Sequence, residues 1–235
     1  MKKNHSKFIT ALNKKVLLCD GGTGTLYQSQ ALDLKTDLLD KENCFEILNL
    51  TRPDIVESIH RQYLEAGADC IETNSFGANK VVLNEFDLID KVYEINLKAA
   101  KIARKIADEY STEKQPRFVI GSMGPGTKLP SLGQVTYDEL VDSYAEQARG
   151  LLDGHVDCFL LETNQDLLTI KAEIHACKLI RKEKNKNEIP IFAQVTMDVT
   201  GKMLVGSDIA TVVTALQAMD IDGIGLNCGL GPVEM

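Results

Sequence analysis

The chain contains no tryptophan, only four histidines and only six prolines in 235 residues. It has no apolar run approaching the roughly 20 residues needed to span a bilayer, which excludes a transmembrane helix. It has no surplus of positive charge: 34 acidic against 26 basic residues give a formal net charge of −8. That balance removes the electrostatic footprint of a nucleic-acid binder or of an anionic-membrane binder. The amino-terminal stretch is basic (Lys2, Lys3, Lys7) but has no apolar segment behind it, so it does not read as a secretory signal. A cytoplasmic location is therefore expected. No two of the six cysteines form a CxxC pair. A chain of this size needs no disulfide staples, so Cys19, Cys44, Cys70, Cys158 and Cys177 are expected to be buried free thiols. There is no low-complexity linker and no sign of a second domain.

What the chain does have is alternation. Short β-branched runs at Val16–Asp20, Cys70–Asn74, Phe118–Ser122, Cys158–Thr163, Ile191–Thr196 and Gly223–Cys228 read as strands. Their near-continuous apolarity, as in the Cys-Phe-Leu-Leu run at 158–161, fits parallel strands buried on both faces. Helical spacing marks Pro53–Ala66, Ile89–Glu109, Tyr137–Leu152, Leu167–Arg181 and Ile209–Met219. In the first of these, Pro53 suits the opening turn, Gly67 ends it, and Ile55, Val56, Ile59, Tyr63 and Leu64 form the apolar stripe. Asp69, Asp157 and Asp222 sit in the turns that precede strands. Later units repeat about every 32 residues, the spacing of a parallel α/β barrel.

Polar residues gather at strand ends. Asp20, Glu72, Asn74, Glu162, Asn227 and Cys228 all close strands, and a parallel barrel builds its active site from that rim. The run Asp20-Gly21-Gly22-Thr23-Gly24-Thr25 follows the first strand. Its glycines let backbone amides approach a small anionic group, and Asp20 can accept from an ammonium. A dinucleotide loop would need a third glycine, which is absent; a plain tight turn remains an alternative. Glu-Thr-Asn closes both the second strand (72–74) and the fourth (162–164). A carboxylate at a barrel mouth needs a partner, which a substrate ammonium would supply. The alternative is that the Thr and Asn side chains only tie down their own loops. Cys228, read alone, is a nucleophile, a metal ligand or an inert thiol.

The stretches LLCDGGTGT (17–25), LTRPDIVESIHRQYLEAGADCIETNSFGA (50–78), GSMGPGT (121–127), LLET (160–163) and GLNCGLGP (225–232) together resemble the homocysteine S-methyltransferase family. The likeness is strongest to the homocysteine-binding domain of the family's cobalamin-dependent branch. The resemblance implies a (β/α)8 TIM-type barrel, here cut short after about six strands, with residues 1–235 as one incomplete domain lacking its last two βα units. It implies zinc held by three cysteine thiolates, with homocysteine sulfur taking the open position and methionine as the product. Cys228 matches the first of those cysteines; the other two belong to a Gly-Gly-Cys-Cys-Gly motif that this sequence does not contain. Asp20, Gly21 and Gly22 match the turn that holds the amino-acid part of homocysteine. Glu162 matches the position facing its amino group, and Thr73, Asn74 and Asn227 match further motif positions. In the cobalamin-dependent branch the methyl group comes from methyltetrahydrofolate by way of cobalamin, both held in downstream domains. Betaine or S-methylmethionine serves as donor in other branches. A non-catalytic barrel fragment that binds an amino acid or a partner is the rival reading. A barrel acting on a phosphorylated substrate rests on the glycine turn alone.

Overall fold

The computed structural model describes residues 6–231 and 233–235. Lys2 and Lys3 of the basic stretch, and Pro232 of the GLNCGLGP run, lie outside them. Five parallel strands form one sheet in sequential order: β1 (Cys70–Glu72), β2 (Phe118–Met123), β3 (Cys158–Asn164), β4 (Ile191–Val195) and β5 (Gly223–Leu226). The helices in chain order are α1 (Lys7–Leu12), α2 (Gly24–Gln28), α3 (Leu48–Thr51), α4 (Pro53–Glu65), α5 (Lys80–Asn84), α6 (Val92–Tyr110), α7 (Tyr137–Asp153), α8 (Leu167–Glu183) and α9 (Ile209–Gln217). The five expected helices are α4, α6, α7, α8 and α9. Their starts are set locally: Pro53 opens α4, a Thr136–Glu139 capping box opens α7, and the side chains of Asp166 and Asp208 cap α8 and α9. None of the helices described is long and apolar enough to cross a membrane.

The expected first strand, Val16–Asp20, needs correction. It is reduced to a single parallel bridge, Cys19 to Cys70, with Cys70 N–H donating to Leu18 O and Asp20 N–H to Cys70 O, both at 3.0 Å. The segment has β1 on one side and no strand on the other among the described residues. Val16 and Leu18 are accordingly 82% and 61% exposed. Cys19, expected to be buried, is exposed on the same segment, whereas Cys44, Cys70, Cys158 and Cys177 are buried; all six cysteines are free thiols.

Both faces of the sheet are covered by apolar side chains, which explains why its strands read as continuous apolar runs. Outward-facing Ile71, Val119, Phe159, Leu161 and Val195 join the apolar stripes of α6, α7 and α8 in the main core. Inward-facing Cys70, Phe118, Ile120, Cys158 and Leu160 form a second cluster around Phe8 of α1. Phe8 meets Phe118 and Phe192 edge-on, at centroid distances of 5.3 and 5.6 Å. Helix α1 therefore plugs the end of the sheet where the strands begin and leaves the other end free for a site.

A repeated aspartate fixes the stagger between neighbouring strands. The carboxylate before one strand accepts an amide of the preceding strand or, for Asp69, of the bridged segment 16–20: Asp69 from Leu18 at 3.1 Å, Asp157 from Val119 at 2.8 Å, Asp222 from Ile191 at 2.9 Å. Outside the sheet, α6 and α7 approach closely because Gly150 and Gly154 carry no side chain. A Cβ on Gly154 would stand 2.4 Å from Ala100 Cβ and 3.0 Å from Leu97 O. Gly154→Ala is expected to lower stability by about 1–3 kcal/mol through overpacking. Urea unfolding checks this, and an unchanged midpoint would contradict so close a packing of the two helices.

Candidate functional site

A cavity of about 850 Å³ opens where the strands end. Asp20, Gly21, Gly22, Thr73, Asn74, Glu162, Asn227 and Cys228, the residues singled out from sequence, all line it, together with Glu72. The strand ends bring together positions separated by up to about 200 residues, as a parallel barrel rim does.

Each side chain is held by a neighbouring element. One oxygen of Asp20 accepts the Glu72 amide at 2.9 Å, tying the glycine turn to β1; the other is buried with no partner among the described groups. The Tyr63 hydroxyl of α4 donates to Gly22 O at 3.0 Å, fixing the turn from outside. Ser122 at the end of β2 donates its hydroxyl to Glu162. Thr73 and Asn74 are engaged with the scaffold: the Thr73 hydroxyl accepts the Ser122 amide at 3.1 Å, and Asn74 Nδ2 donates to Phe45 O at 2.8 Å. Asn227 is engaged likewise. Its Oδ1 accepts the Thr163 amide at 2.9 Å, and its Nδ2 donates to the Thr163 hydroxyl at 2.8 Å and approaches Cys228 Sγ at 3.6 Å. Cys228 is exposed at the rim with a left-handed backbone, φ 57°. Gly229 follows at φ 72°, where a Cβ would strike Met197 O at 2.6 Å, so the turn that presents the thiol requires glycine.

Ser122, Tyr63 and Glu46 belong to this site and were not singled out from sequence. Ser122 was legible as a strand end. Tyr63 read as part of the apolar stripe of α4. Glu46 lies in a connection outside the strand–helix pattern, and its side chain accepts the Gly77 amide at 2.7 Å.

The electrostatics are one-sided. Asp20, Glu46, Glu72 and Glu162 all face the cavity, and its described lining includes no Lys, Arg or His. Burial pushes the Asp20 carboxyl up to about 7; the Glu72 amide opposes the rise and the Glu162 charge adds to it. Glu72 is driven well above the usual carboxyl range, first by burial and then by the charges of Glu162 and Asp20. Burial also raises Glu162, against the hydrogen bond from Ser122, and raises Glu46. A bound cation would oppose these shifts, because a positive group favours the ionised carboxylates.

The described residues do not by themselves assemble a metal centre: no three His, Cys, Asp or Glu side chains come together as a metal-holding group. A catalytic zinc takes about three protein ligands. Of the expected thiolate set this chain supplies Cys228, so the residues present do not fit the ion on their own.

A carboxyl whose folded pKa is raised stabilises the fold fully below its unfolded pKa, and that stability is lost as pH rises through the folded value. For Asp20 the window runs from the ordinary carboxyl range up to about 7, and Glu72 and Glu162 act in the same direction. The melting temperature of the ligand-free protein is therefore expected to fall between pH 5 and pH 8, and Asp20→Asn is expected to flatten the slope. A melting temperature that rises across that range would contradict the assignment.

Residues 17–235 match the homocysteine S-methyltransferase family. The chain is 46% identical over 228 residues to a methionine synthase of Mycobacterium tuberculosis and 45% identical over 227 residues to one of Mycobacterium leprae. In each case the match covers 97% of this chain and 19% of the relative, so the chain spans about a fifth of the length of these proteins. Among solved structures, the apo form of the homocysteine methyltransferase MmuM from Escherichia coli superposes with a TM-score of 0.69 at 19% identity, covering 95% of this chain and 76% of that one. The metallated form of MmuM superposes with a TM-score of 0.62 at 15% identity, covering 96% of each. At such identities the structural likeness establishes the barrel-type α/β fold alone. The long sequence match goes further: this chain belongs to the homocysteine S-methyltransferase family.

Proposed function

We propose that this chain is the homocysteine-binding barrel domain of a methionine synthase. The observation that carries the reading is the cluster of Asp20, Glu72 and Glu162, a group of raised carboxyls facing one cavity with no cationic side chain on its described lining. The ammonium of an amino acid supplies the missing charge. The Gly21–Gly22 turn beside Asp20 offers backbone donors to the α-carboxylate, and the exposed Cys228 marks the end of the cavity toward which the substrate sulfur points.

In this role the domain orients the substrate. The ammonium is held by the carboxylates, which fixes the direction of the side chain. In methyl transfer the homocysteine thiol first gives up its proton to solvent; the thiolate sulfur then bonds to the methyl carbon as the donor's bond to that carbon breaks, and the donor keeps the electron pair. The product is the thioether methionine. Methyl delivery from methyltetrahydrofolate by way of cobalamin belongs to further domains of such a protein. The 46% identity to a methionine synthase supports the methionine synthase reading within the family.

Two measurements test the proposal. The chain is expected to bind homocysteine at least about tenfold more tightly than 4-sulfanylbutanoate, which lacks the ammonium, and Glu162→Gln is expected to erase most of that preference, as loss of a charge-assisted hydrogen bond does. Calorimetry reads both, and equal affinity of the unaltered chain for the two compounds would remove the amino-acid reading. The second measurement concerns metal. With one thiolate of the expected three, the 235-residue chain is expected to surrender zinc to a chelator. Stoichiometric zinc that resists the chelator would mean that this chain contains a complete donor set.

A further inference from the structure

Strand β3 does not run straight to its end. Its Leu161 pairs with Ala193 of β4, but the next paired residue is Asn164, opposite Val195. Three steps on β3 thus face two on β4, so one extra residue is inserted as a bulge. Thr163 takes up the bulge at φ 62°, a left-handed conformation that a β-branched residue adopts only when its surroundings impose it. In a straight strand Glu162 and Asn164 would share a face and Thr163 would oppose them. Glu162 lines the cavity, the side that alternation from Leu160 also gives it, and with the bulge Thr163 joins it at the rim, its hydroxyl 3.9 Å from Cys228 Sγ. Asn164 points the other way, into the helical layer, where its Nδ2 donates to Glu173 Oε2 of α8 at 2.7 Å.

We infer that Glu173 is a positioning residue for this site: by holding Asn164 outside the barrel it maintains the bulge that brings Thr163 to the rim beside Glu162 and fixes the strand end from which Glu162 meets the substrate ammonium. Glu173 and Asn164 are each fully buried, so bulk solvent does not compete for the bond between them. The rim holds the same bulge from the opposite side, where Asn227 binds both the amide and the hydroxyl of Thr163. The bulge is thus clamped at two points, one facing the ligand and one hidden in the helical layer. Burial keeps Glu173 well above the usual carboxyl range, with Asn164 and Tyr144 opposing the rise. Asn164 Nδ2 needs an acceptor here, which glutamine also provides.

The ligand arm of the test rests on the amino-acid reading above; the exchange arm does not. Glu173→Gln and Glu173→Leu are compared with the unaltered chain for hydrogen exchange at the Thr163 amide and for the ratio of homocysteine to 4-sulfanylbutanoate affinity. Glu173→Gln is expected to match the unaltered chain in both. Glu173→Leu is expected to lose about tenfold in Thr163 protection and about tenfold in the affinity ratio, with binding of the deaminated compound unchanged. If Glu173→Leu does not fold, Asn164→Ser breaks the same bond from the other end and carries both readouts. The inference is overturned if the bond-breaking variant keeps Thr163 protection, if Glu173→Gln fails as badly as Glu173→Leu, or if both ligands weaken equally. If the unaltered chain itself shows no preference for homocysteine, the functional reading falls and the exchange result alone decides the role of Glu173.

Discussion

Asp20, Glu72 and Glu162 are like charges gathered in one partly desolvated mouth, and the rest of the site is arranged around that conflict. Carboxylates removed from water rise in pKa, and carboxylates facing one another rise further. The protein relieves the conflict only in part: the Glu72 amide serves Asp20, the Ser122 hydroxyl serves Glu162, and one Asp20 oxygen is left buried without a partner. A fold that needed only stability would place apolar groups there, because unpaired buried polar atoms cost about 1–3 kcal/mol each. The conflict has a physical use if the occupant of the cavity carries positive charge.

The scaffold makes that crowding possible. At three junctions an aspartate that precedes one strand binds an amide at the start of the neighbouring segment: 16–20 with β1, β2 with β3, and β4 with β5. Phe8 of α1 packs on the inward side chains where the strands begin, so the cavity opens at the carboxyl ends. At that level β3 departs from regularity, and its bulge presents two consecutive side chains, Glu162 and Thr163, toward the mouth. Order at one end of the sheet and a controlled irregularity at the other serve the same purpose.

Much of this was legible in the sequence because it is local. The helix starts follow from Pro53, Thr136, Asp166 and Asp208, and the rim residues follow from polar groups closing apolar runs. The strand at 16–20 was overread: periodicity reports what a segment can do, whereas pairing also requires neighbours, and this segment has one among the described residues. Thr73, Asn74 and Asn227 lie at the mouth, and nothing in a linear pattern reveals that their polar groups are used to hold Ser122, Phe45 and Thr163. Tyr63 and Glu46 act through contacts across 41 and 31 residues. The bulge was illegible for a different reason: threonine disfavours a positive φ, and tertiary contacts with Asn227 override that preference.

The most direct test of an ammonium-seeking carboxylate cluster is a count of protons. Binding of L-2-aminobutyrate, which has the amino-acid head of homocysteine but no thiol, is measured by calorimetry at pH 7 in buffers of differing ionisation enthalpy. If the raised carboxyls receive the ammonium, they ionise on binding and protons are released to the buffer, about one per site by linkage. Binding with no proton release, or with proton uptake, would mean that the cluster does not meet the ammonium, and the central reading of the cavity would be wrong.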